Sequence, residues 1–106
     1  MTPPDSASHT IREIWQQPAT WPETATLVAW AASSVAESLH QARAIVLTGS
    51  GSSEYVGHCV APAIEAERGI PVVAIGGGTI LTNPEQSLPA SSVGLLVSIA
   101  RSGNSP

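Results

Sequence analysis

The stretch Ala44-Ile45-Val46-Leu47-Thr48-Gly49-Ser50-Gly51-Ser52-Ser53 decides the fold. Its apolar run is continuous, as in a strand buried on both faces of a parallel sheet. The glycines and serines that follow make a tight turn, and a helical pattern begins at Ser53 or Glu54. A buried strand, a small-residue turn and a helix start form the anion site of α/β folds. The chain closes on a second copy of this arrangement. Gly94-Leu95-Leu96-Val97-Ser98-Ile99 runs into Arg101-Ser102-Gly103-Asn104-Ser105, and Pro106 would open another helix. Two such loops, each after a strand, predict one phosphate gripped from two sides.

Working outward from these loops, 106 residues allow one domain at most. Aromatic residues make up only 4% of the chain, with no Phe, so the core is aliphatic and rich in alanine. The formal charge is −4, and the basic residues are four Arg with no Lys. That excludes a basic patch for nucleic acid, so an anion must be held by backbone N–H groups, hydroxyls and at most an Arg. The lone Cys59 makes neither an internal disulfide nor a Cys-rich metal site, which fits a reducing, cytoplasmic setting. Neither a signal peptide nor a membrane span is visible. The stop at Pro106, one residue into an expected helix, reads as the N-terminal piece of a longer protein.

Residues 1–42 read as a loose tail followed by helices. Thr10-Ile11-Arg12-Glu13 fits a capping box, opening a short helix that Pro18 ends. Thr20-Trp21-Pro22-Glu23 fits a second. A longer helix then carries Leu27, Ala31, Val35 and Leu39 as one stripe to about Gln41, covering the sheet or a partner subunit. Trp15, Trp21 and Trp30 read as packing or subunit contacts. Residues 43–106 hold three strands, 44–48, 71–75 and 93–99. The helix after the first strand ends at Arg68, with Gly69 as its C′ residue and a kink or break at Pro62. Cys59, on this helix, reads as a small buried hydrophobe. Gly76-Gly77-Gly78 reads as a chain reversal, 79–82 as a short turn or helix, and 84–92 as an irregular connection. Right-handed crossovers make the strands parallel, and an order 2-1-3 would place both loops at the switch point. The fold class is α/β: part of a doubly wound, flavodoxin-like parallel sheet, with an edge strand at Leu95-Leu96-Val97.

The first loop fits neither common nucleotide motif. A P-loop needs a Lys, and there is none. In G-x-G-x-x-G, Glu54 stands where the third Gly belongs, and no acidic residue ends the second strand to read a ribose. A small phosphate remains, and no cofactor or metal is called for. Ser50, Ser52 and Ser53 offer hydroxyls around Gly51, and Ser102 and Ser105 offer them around Gly103. A phosphomonoester, with three terminal oxygens, uses that many donors. Each residue also has a plainer reading. The serines suit tight turns, Arg101 suits a solvated surface, Glu54 suits a helix's first turn, and His58 suits packing or the surface.

The pairs Leu47-Thr48-Gly49-Ser50-Gly51-Ser52-Ser53 and Val97-Ser98-Ile99-Ala100-Arg101-Ser102-Gly103-Asn104-Ser105 resemble the two phosphosugar loops of sugar isomerase (SIS) domains. Ile11-Arg12-Glu13-Ile14-Trp15-Gln16-Gln17-Pro18, Gly57-His58-Cys59-Val60-Ala61-Pro62 and Leu81-Thr82-Asn83-Pro84 are similar to the tagatose-6-phosphate ketose/aldose isomerase branch, which includes galactosamine-6-phosphate deaminase-isomerases. The resemblance implies phosphate ligands at Ser53, Ser102 and Ser105, helped by the backbone near Arg101. It implies an aldose-ketose isomerase or aminosugar-phosphate deaminase acting on a hexose or hexosamine 6-phosphate, a homo-oligomer when full-length. The family's acid/base Glu and His would lie beyond Pro106. Related aminosugar synthases carry a serine where this chain has Ala100, so one donor is missing. The alternative is a non-catalytic phosphosugar sensor. Its DNA-binding form is disfavoured because residues 1–41 hold a single basic residue, Arg12.

Overall fold

The computed structural model describes residues 8–88 and 94–103. It divides into two compact units, with the boundary between Glu37 and Ser38. The first unit is helical. The helix α1 (His9–Gln41) runs unbroken through Pro18 and Pro22, where two helices were expected. Neither Pro can donate to the preceding turn. Threonine hydroxyls tie carbonyls in the same stretch: Thr20 Oγ1 donates to Gln17 O, Thr24 Oγ1 to Thr20 O and Thr26 Oγ1 to Pro22 O, at 3.0, 3.0 and 3.1 Å. Thr20 is therefore a helix-interior residue, and its reading as a cap is corrected. Of the two readings of the tryptophans, packing or subunit contact, packing within the chain is not seen. Trp15, Trp21 and Trp30 are exposed, and α1 contains no buried residue.

The second unit contains a three-stranded parallel sheet of β1 (Ala44–Gly49), β2 (Val72–Gly76) and β3 (Gly94–Ser98), in the order β2-β1-β3. This is the expected order. The central strand is the one with the continuous apolar run, and Ala44 through Leu47 are all buried. Helix α2 (Ser52–Arg68) covers one face. Ile45, Leu47, Val72 and Ala61 form the core there, with Ala74, Leu95 and Val97 packed against it. Gly57 lets the helix come close, because a β-carbon on it would stand 3.3 Å from those of Leu47 and Ala74. Gly69 ends α2 in the left-handed conformation (φ 67°), its N–H donating to Glu65 O at 2.8 Å. On the other face Val46 is flanked in register by the exposed Val73 and Leu96.

Of the kink or break expected at the exposed Pro62, the break does not occur, since α2 runs on through it. Cys59 is exposed, not buried. The buried positions of α2 are Gly57 and Ala61, one turn apart, so Cys59 between them falls on the opposite face. After β2 the chain enters α3 (Gly77–Thr82) directly, then α4 (Pro84–Ser87). Gly76 ends β2 and Gly77 and Gly78 open α3, so the glycine triplet leads straight from strand into helix. The rest of the connection expected at 84–92 lies largely outside the described residues.

Candidate functional site

The site is set by strand register. Thr48 on β1 pairs with Ser98 on β3, and Ile99 N–H donates to Thr48 O at 2.8 Å, carrying the ladder one step further. The two serine loops therefore leave the sheet side by side and at the same level. On the other flank Gly49 pairs with Gly76, so the chain leaving β2 emerges at the same edge. This is the carboxyl edge of a parallel sheet at the point where strand order reverses, where such sheets bind ligands.

The first loop is tightly determined. Gly49 admits no side chain, because a β-carbon would lie 2.8 Å from Ser53 Cβ and 2.9 Å from the Ser53 carbonyl carbon. Gly51 caps α2 with φ 58° and ψ −127°, a conformation suited to glycine. Ser53 N–H donates to Ser50 O at 3.2 Å and Glu54 N–H to Gly51 O at 3.1 Å. These bonds use two of the orphan donors expected at a helix start. What the loop offers a ligand is then the serine hydroxyls and the amides before Ser53. The Glu54 side chain is engaged elsewhere. Its carboxylate accepts from His58 Nε2 at 3.1 Å, one turn along α2, and lies against Gly76.

The two loops line one open hollow of about 590 Å³. Ser50, Ser52 and Ser53 contribute from the first loop, and Arg101, Ser102 and Gly103 from the second. Gly51 shapes the turn without lining the hollow. Ser105 lies outside the described residues. Ala100, singled out above for its missing hydroxyl, also lines the hollow, and sequence reasoning missed three neighbours: Thr48 and Ser98 at the strand ends, and Gly77 at the start of α3. Three parallel strands ending level was the available signal for Gly77, since it puts the loop after β2 beside the other two. Among the described residues the lining combines hydroxyls, backbone and a single cation, Arg101. In a chain of net charge −4 this set suits a small dianion and not a polyanion.

No protein-family model matches the chain. Two curated proteins bearing the AgaS name are similar to nearly all of it. That of Streptomyces coelicolor is 37% identical over 107 residues, covering 96% of this chain and 28% of its own length. The D-galactosamine-6-phosphate deaminase AgaS of Shewanella sp. is 36% identical, covering 92% of this chain and 27% of its own length. The chain thus spans less than a third of the length of the curated relatives it matches. The crystal structure of tagatose-6-phosphate ketose/aldose isomerase from Escherichia coli superposes over 100% of this chain and 31% of its own, with TM-score 0.86 and 32% identity.

Proposed function

This chain belongs to the sugar isomerase (SIS) family, and we propose that its residues 43–106 are the first part of a domain that binds a hexose or hexosamine 6-phosphate. The observation that carries this reading is the single hollow shared by the loops after β1 and β3. Hydroxyls and amides hold the phosphate from both sides, and Arg101 supplies positive charge. Ser53 and Ser102 are the principal ligands, with Ser105 completing the second loop. The sugar points away from this grip toward acid/base groups contributed by the remainder of the protein. There the open-chain sugar passes a proton between C1 and C2, through an enediol for isomerisation or an enolamine for deamination. The names of the relatives favour an amino sugar phosphate as substrate.

The test is titration of the intact protein with galactosamine 6-phosphate and with galactosamine. A preference for the phosphate ester of roughly a hundredfold is expected, the free energy of about two charge-assisted hydrogen bonds. Equal affinities would overturn the reading.

A further inference from the structure

Most glycines in the second unit have a structural reason to be glycine. Gly49 and Gly57 make close approaches, Gly51, Gly69 and Gly103 have positive φ, and Gly76 adjoins the Glu54 carboxylate. Gly77 has none of these. Its φ is not positive, and a β-carbon there would meet only ordinary contacts: Ser50 Oγ at 3.4 Å, Gly49 O at 3.7 Å and Thr48 Oγ1 at 3.8 Å. It also opens α3, where alanine is the better helix former. What the missing side chain leaves is a notch in the wall of the hollow, with three oxygens around it. One of them, Thr48 Oγ1, is buried and has no hydrogen-bond partner among the described residues. A hydroxyl shut away unpartnered is costly, and it lies at the floor of this notch, with the exposed Ser50 at its mouth.

We infer that the notch beside Gly77 is the subsite for a hydroxyl or ammonium group of the bound sugar, and that Gly77 determines which sugar fits. This rests on the phosphosugar reading above. Its lining of two hydroxyls and a carbonyl both donates and accepts, as a sugar hydroxyl requires. An ammonium group would find three acceptors there. Gly78 is the internal control. It too lacks positive φ and has no atom within 4 Å of a β-carbon position, but it does not line the hollow.

The experiment compares Gly77→Ala, Gly78→Ala and Thr48→Val in the intact protein. Each is titrated with galactosamine 6-phosphate and with inorganic phosphate. One methyl group in a fitted subsite costs roughly tenfold in affinity. Gly77→Ala should therefore weaken the phosphosugar by about that factor while shifting inorganic phosphate by no more than about twofold. Thr48→Val, which keeps the shape and removes the hydroxyl, should weaken the phosphosugar by roughly fivefold. Gly78→Ala should match the unmodified protein for both ligands. Unchanged phosphosugar affinity in Gly77→Ala, equal losses in Gly77→Ala and Gly78→Ala, or equal losses for both ligands would each overturn the inference. Those outcomes leave the phosphosugar reading standing. That reading fails only if the unmodified protein shows no preference for the phosphate ester over the free amino sugar, and the subsite then falls with it.

Discussion

The two serine loops differ in how glycine shapes them. The loop after β1 is fixed by the close approach at Gly49, by the conformation of Gly51 and by backbone bonds from Ser53 and Glu54. Helix α2 stands directly behind it. The described part of the loop after β3 is joined to the ladder by Ile99 N–H, beyond which Arg101, Ser102 and Gly103 are all exposed. The lesson is about preorganisation. A loop whose shape is already set costs little to bind against, and in the loop after β1 glycine contacts and backbone bonds set it.

The largest effect that would break this comparison is at Gly49. Gly49→Ala forces its β-carbon against backbone atoms of Ser53 and Glu54, which cannot swing aside as a side chain can. We expect about 3 kcal/mol of destabilisation, read from the urea midpoint at constant m. The matching change in the other loop, Gly103→Ala at φ 72°, meets no atom of the described residues within 4 Å. It should cost only about 1 kcal/mol from the left-handed backbone. Similar losses at both positions would mean that the loops are equally constrained. The smallest expected effect is a gain. Ala100 lines the hollow without a side-chain donor, so Ala100→Ser should tighten galactosamine 6-phosphate by roughly threefold. A weakened complex would mean that the second loop has no room for another ligand group.

Much of this was legible in the sequence. The uninterrupted Ala44–Leu47 run announces a central strand, Gly69 marks the end of α2, and right-handed crossovers make the strands parallel. Most of the serine loop residues can be named because their chemistry is carried in side chains. Gly77 could not, since its contribution is an absence beside atoms distant in sequence, visible only once β2 is in register with β1. The unbroken α1 was hidden for a different reason. Pro18 and Pro22 are strong local stop signals, and the structure overrides them in a stretch where threonine hydroxyls bond back to the helix carbonyls. Cys59 was misjudged because residue type says little about which side of a helix faces the sheet.

Whether both loops hold the same phosphate is tested most directly by a double-mutant cycle on Ser53→Ala and Ser102→Ala, read as the affinity for galactosamine 6-phosphate in the intact protein. Each single change should cost roughly tenfold. Because the two residues share one ligand group, the double variant should lose at least about threefold less than the product of the single losses. Losses that multiply without coupling, or single variants that bind as tightly as the unmodified protein, would contradict the shared grip.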